Sequence, residues 1–101
     1  MIHNIKLREE YVDAVYNNEK PFEVRKNDRN YQVGDYVIFD PVKYSEEDCD
    51  YTVHYEHPIK HEVYQITYIL SDYWPLNSDY IVFAIAPRSD LDVMKVLNNA
   101  L

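Results

Sequence analysis

Two segments limit what this chain can fold into more than any others: HEVYQITYIL at 61–70 and YIVFAIA at 80–86. The first is the strongest strand signal in the chain. It runs for ten residues and is rich in the β-branched and aromatic side chains that fit a pleated, half-buried surface. The second is apolar throughout and reads as a strand buried on both faces. SDYWPLNSD between them is a loop with a Trp-Pro pair. Two such strands need further strands or helices to cover them, and 101 residues allow one compact domain to do so.

The remaining segments supply that cover. IHNIKLR sets Ile5 and Leu7 on one side and Lys6 and Arg8 on the other, the period of a short strand. EEYVDAVY places Tyr11 with Val15 and Val12 with Tyr16 four apart, behind acidic residues that favour a helix start, so a helix is expected over about Glu9 to Tyr16. Asn17-Asn18 ends it, because Asn tolerates the left-handed conformation of a helix stop. After Pro21 an extended segment is expected to turn Phe22 and Val24 to the core and Glu23 and Arg25 away from it. Asn27-Asp28 makes a turn.

Gly34-Asp35, holding the only glycine, marks a tight turn before a strand over Tyr36 to Phe39. KYSEEDCD reads as a polar acidic loop, and YTVHYEH as a strand halted by Pro58. Beyond Pro87, Ser89 and Asp92 resemble a capping box before a last helix with Leu91, Met94, Leu97 and Leu101 close to one face. Strands outnumber helices. The class is therefore α+β, with a curved sheet or an open barrel and helices over one end.

Composition excludes several functions. A hydrophobic share of 47% with eleven tyrosines argues for a folded globule, and one Gly with five Pro excludes collagen-like or low-complexity chains. No apolar run approaches the ~20 residues of a membrane helix, and the N-terminal segment lacks the pattern of a signal peptide. With Cys49 alone no internal disulfide forms, so the expectation is a soluble cytoplasmic protein with no membrane partner. A net charge of -8 weighs against indiscriminate nucleic-acid binding. The charge is uneven, however: residues 1–29 hold six Lys/Arg and six Asp/Glu, whereas residues 30–101 hold four against twelve. Since distant charges are screened over about 8 Å, a locally basic groove is compatible with an acidic body.

The charged block NEKPFEVRKNDR followed by YQVGDYVIF resembles the signature of the ASCH domains of the PUA-like superfamily, G-x-K-x-x-E-x-R after the first helix. Lys20, Glu23 and Arg25 stand at its Lys, Glu and Arg, and Asn18 replaces its Gly. The nearest resemblance is to a short bacterial and phage branch known only as a domain of unknown function. It is carried by H-x-I-K-L (His3 to Leu7), Y-x-D-A-V (Tyr11 to Val15), F-E-V-R-K-N-D-R (Phe22 to Arg29), V-G-D (Val33 to Asp35), I-T-Y-I-L (Ile66 to Leu70) and a closing Y-I-V-F-A-I. These blocks span about residues 3 to 86. The resemblance implies an ASCH/PUA-like domain over 1–86, with an open β-barrel of about five to six strands and a helix after the first strand. Residues 87–101 then form a C-terminal helical extension.

It also implies a cleft. Relatives are thought to bind RNA or modified nucleobases, and the implied ligand-binding residues are Lys20, Glu23, Arg25, Lys26, Asn27, Arg29 and Tyr31. Glu23 would orient Arg25 and partly neutralise it, leaving the guanidinium to fork onto a phosphate or a carbonyl edge while Lys20 supplies a point charge. The alternative is a Lys-Glu-Arg network that only fixes the strand. One ASCH subgroup hydrolyses an acylated cytidine with a Lys, a Thr and a Glu; a hydrolase here would use Lys20 as nucleophile or base and Glu23 as its assistant. Because the subgroup's Thr falls at Glu23, that reading is weakened.

Other residues invite other chemistry. His54, His57 and His61 with Cys49 suggest zinc, but Pro58 interrupts their spacing and no Cys pair supports it, so no metal and no cofactor are expected. Glu46, Glu47, Asp48 and Asp50 lack the order of a calcium loop. A solvated loop is the plain reading; its rival is a phage-type inhibitor whose carboxylates imitate a phosphate track and meet a protein target. Tyr31, Tyr36, Tyr73 and Trp74 lie in or near expected loops where bases could stack, although most tyrosines suit strand surfaces.

Overall fold

The structure is a computed structural model that describes residues 1–99. In chain order it holds β1 (Ile2–Arg8), α1 (Glu9–Tyr16), β2 (Phe22–Lys26), β3 (Tyr36–Ser45) and β4 (Asp50–His54). A 3₁₀ turn at Pro58–His61 leads to β5 (Tyr64–Leu70), β6 (Tyr80–Pro87) and α2 (Val93–Asn99). The fold is a small α+β arrangement of six strands in one sheet, ordered β1-β3-β5-β6-β2, with β4 attached to β3. β1 and β3 run parallel, which the α1 crossover permits; the other neighbours are antiparallel.

Local chemistry explains most boundaries. β1 alternates, burying His3, Ile5 and Leu7. α1 buries Val12 and Val15 against the sheet and ends at Asn18, whose φ of 62° is the left-handed stop that Asn accepts. The Glu19 and Lys20 amides both donate to the Ala14 carbonyl there. Gly34 takes φ 96° in the turn before β3, a region closed to most side chains. Phe39, Val37, Ile59, Ile66 and Phe83 complete the core with the β1 and α1 residues. Each such side chain contributes about 1.5–3 kcal/mol by leaving water.

The six-stranded sheet is not closed into a barrel. β1 and β2 end its path, and among the described residues no ladder joins them. Side chains span the gap instead: Arg25 Nη2 donates to the Lys6 carbonyl at 2.6 Å, and Arg29 Nη1 to the Asn4 carbonyl at 3.4 Å. With edge carbonyls taken by guanidinium groups, strand-to-strand pairing is replaced along this seam.

β2 faces the opposite way from its apolar alternation. Glu23 is 3% exposed and Arg25 half-buried, whereas Phe22 (41%) and Val24 (50%) face out. Register with β6 is the cause. Glu23 lies opposite Phe83 and Arg25 opposite Ile81, and cross-strand partners share a face. The bulky Ile81, Phe83 and Ile85 define the inner face of β6, which brings Glu23 and Arg25 inward; a one-residue slip would reverse both strands' partners.

Other expectations shift less. β6 is not buried on both faces: Val82, Ala84 and Ala86 are half-buried on its outer side. β3 runs to Ser45 instead of stopping at Phe39, and pairs with β4, so the acidic segment is a hairpin with only residues 46–49 in its tip. α2 is capped by the Asp92 carboxylate, which accepts from the Met94 and Lys95 amides. Ser89 takes no part in those capping bonds. The face of α2 differs too, since Val96 is buried while Met94 and Leu97 are exposed. Leu101 lies outside the described residues. No helix among the described residues is long and apolar enough to cross a membrane.

Candidate functional site

The seam between β1 and β2 opens into two adjoining hollows. The narrower, about 310 Å³, is bounded by Lys6, Leu7, Arg8, Tyr11, Lys20, Glu23, Val24 and Arg25. The wider, about 550 Å³, is bounded by Asn4, Ile5, Lys6, Arg25, Lys26, Asp28, Arg29, Tyr31 and Asp40. Lys6 and Arg25 border both, so the two form one cleft. Both volumes fall in the range of small-molecule sites.

Glu23 is the centre of the narrower hollow. A buried carboxylate is costly unless paired, and both of its oxygens are: Oε1 accepts from Lys20 Nζ at 2.7 Å, and Oε2 from Arg25 Nε at 3.0 Å. Lys20 also donates to the Phe22 carbonyl at 3.0 Å, with its ammonium 5.0 Å from the Tyr11 ring centre and 5.1 Å from that of Phe22. Lys20 and Arg25 therefore converge on one carboxylate at a cavity wall. Their charge is largely taken up by Glu23, which leaves less for a phosphate than the sequence pattern suggests.

The wider hollow is different in kind. Lys6, Lys26 and Arg29 are exposed and enter no ion pair among the described residues. Asp40, the register partner of Lys6 on β3, lies 2.8 Å from His54 Nδ1. Tyr31 borders the hollow but is only 6% exposed, its ring centre 4.5 Å from that of His3 and 5.0 Å from that of Phe83. It is part of the floor and not an open stacking platform. Burial pushes its phenol pKa up, against the opposing pull of Arg25 and Arg29. Asn27 borders neither hollow; its amide donates to the Asp79 carbonyl at 2.8 Å, tying the basic turn to the loop before β6.

The cleft also includes residues that sequence reasoning did not select. Lys6 is one, and its signal was the outward side of the β1 alternation. Tyr11 is another, brought in by the exposed face of α1. Tyr36 is half-buried at the start of β3, while Tyr73 and Trp74 are exposed in the β5–β6 loop, outside both hollows.

The remaining polar clusters lie elsewhere. The histidines separate: His54 pairs with Asp40, His57 lies 2.9 Å from Asp13, and His61 is exposed. Among the described residues no three His, Cys, Asp or Glu side chains are grouped to hold a metal. Asp35 is buried in the turn before β3. Its Oδ2 lies 2.7 Å from His3 Nε2 and accepts from the Gln32 amide at 3.0 Å, while Oδ1 meets the terminal amine at 3.2 Å.

The fold and site together define a small α+β protein with an ion-lined cleft at the open seam of its sheet. Residues 2–85 match the model of a family described as Domain of unknown function (DUF3850), and the chain belongs to that family. A search of curated proteins finds no match.

Proposed function

We propose that this chain is a binding module of the ASCH/PUA-like kind that holds RNA or a nucleobase- or nucleotide-like ligand in the seam between β1 and β2. The observation that carries the reading is the convergence of Lys20 and Arg25 on buried Glu23 at the wall of an open hollow. Lys20, Glu23 and Arg25 form the reading element, Lys6, Lys26 and Arg29 the basic rim, and Asn27 and Tyr31 brace the turn and floor. An open cleft of this type is the functional counterpart of the unclosed barrel that the ASCH resemblance implies.

Calorimetric titration with nucleosides, nucleotides and short RNAs tests the proposal. Binding should weaken at least tenfold in Arg25→Ala and in Glu23→Gln. Unchanged affinity in both variants would remove the cleft from the account.

Two other readings stay open to experiment. Glu46 and Glu47 are exposed at the β3–β4 tip and enter no ion pair among the described residues, which supports an acidic surface for a protein target. Capture of a host protein that is lost on charge reversal at Glu46 to Asp50 would favour it. The amidohydrolase reading, with Lys20 and Glu23 as its catalytic pair, requires acid release from acylated cytidines, and inactivity across a panel would dismiss it.

A further inference from the structure

We infer that the ligand of the seam is a phosphorylated nucleoside, with its phosphate in the wider hollow beside Lys6, Lys26 and Arg29 and its base against Glu23 in the narrower one. The inference rests on the cleft-binding reading and specifies its substrate class. It also moves the phosphate away from Lys20 and Arg25, where the sequence pattern places it.

Charge divides the two hollows. In the narrower one, Lys20 and Arg25 are both engaged by the Glu23 carboxylate at 2.7 and 3.0 Å. A phosphate brought to either cation meets that carboxylate as a like charge in a partly desolvated place, where repulsion is poorly screened. What the narrower hollow suits is a flat ring with N–H donors. Each Glu23 oxygen retains a second lone pair, and Leu7, Tyr11 and Val24 supply apolar walls. Bases with an exocyclic amine satisfy those conditions, whereas uracil presents two carbonyls with one N–H between them.

Two carboxylates, Asp28 and Asp40, line the wider hollow, but among the described residues neither is paired with its basic rim. Lys6 and Lys26 enter no hydrogen bond or ion pair through their side chains among the described residues, and Arg29 makes one 3.4 Å contact to the neutral Asn4 carbonyl. Asp28 opposes them, while Asp40 lies beside His54. Three available cations around about 550 Å³ form the most anion-receptive part of this cleft, in a molecule whose net charge of -8 otherwise repels phosphates. Lys6 and Arg25 border both hollows, so the two adjoin where the Arg25 guanidinium donates to the Lys6 carbonyl, and the inferred ligand would lie across that bridge.

The experiment is a titration of the intact chain with inorganic phosphate, with adenosine, cytidine, guanosine and uridine, and with their 5′- and 3′-monophosphates. The proteins compared are the wild type, the double variant Lys26→Ala/Arg29→Ala and Glu23→Gln, each first checked for folding by circular dichroism. A monophosphate of an amine-bearing base should bind at least tenfold tighter than its nucleoside. The double variant, which removes the exposed Lys at the end of β2 and the exposed Arg of the following turn, should bind monophosphates no tighter than their nucleosides. Glu23→Gln should weaken nucleoside and nucleotide alike. Raising salt should erode the gain in the wild type and leave the double variant nearly unaffected.

Nucleosides binding as tightly as their monophosphates would overturn the inference and leave the cleft reading standing. So would a phosphate gain that survives in the double variant, or binding of RNA oligomers without binding of any mononucleotide. Failure of every nucleoside, nucleotide and oligomer would overturn both, even if inorganic phosphate bound at the turn.

Discussion

Asp35 and Glu23 are both buried carboxylates with both oxygens occupied, yet one is held mainly from within the scaffold and the other by side chains that line a cleft. Asp35 is held by a main-chain amide three residues away, by His3 on the neighbouring strand β1 and by the terminal amine. Glu23 is held by two long cationic side chains that are themselves partly exposed and line a cavity. The Gln32 amide cannot leave Asp35 unless the turn unfolds. Lys20 and Arg25 can swing from Glu23 by rotating side-chain bonds, with water or a ligand taking their place. Burial alone thus says little about role; whether the partner belongs to the scaffold or to a solvent-facing rim says much more.

The sharpest way to break the comparison is to remove each carboxylate in turn. Asp35→Ala leaves the Gln32 amide and His3 without their acceptor and should lower unfolding free energy by about 1–3 kcal/mol, with ligand affinity unchanged. Glu23→Gln keeps the shape and should cost about 1.5–3 kcal/mol in stability, and in addition at least tenfold in binding. Chemical denaturation and calorimetry on the same two variants give the four numbers. If Asp35→Ala destroys binding in a folded protein, or Glu23→Gln spares it, the division fails.

Acid sharpens the same contrast. Burial pushes the Asp35 carboxyl up, but hydrogen bonds from His3 and the Gln32 amide outweigh it and hold the folded-state pKa below the ordinary 3.8. A depressed carboxyl pKa contributes stability that is fully present above about pH 4 and is lost as pH falls through the folded-state value. The stability gap between wild type and Asp35→Asn should therefore be constant near neutrality and shrink below about pH 4. A gap that widens with acid would reverse the assignment. The smallest expected effect concerns the outer face of β2: Phe22→Tyr and Val24→Thr should each stay within about 0.5 kcal/mol of wild type, because neither side chain enters the core.

Those last variants mark the limit of what the chain discloses by itself. β1, α1, the Asn18 stop and the Gly34 turn were legible because each depends on a local period or a special backbone angle. The face of β2 was not, since FEVRK carries an equally regular alternation whichever side is inward. Only its register with Phe83 and Ile81, nearly sixty residues away along the chain, decides the matter. The burial of Tyr31 was illegible for the same reason: it comes from His3 and Phe83, both remote in sequence. Lys20, Glu23 and Arg25 could be picked out because they lie within six residues. Lys6 could not, because it joins them across the gap between two strands.

The guanidinium bridges from Arg25 to the Lys6 carbonyl and from Arg29 to the Asn4 carbonyl span the gap between the two lips of the sheet. A continuous ladder would hold that spacing rigidly, whereas two side-chain tethers can be exchanged one at a time without tearing any strand from its neighbour. The place where the sheet stops short of a ring is thus spanned by side chains and not by main-chain pairing, with the Arg25 contact the shorter of the two.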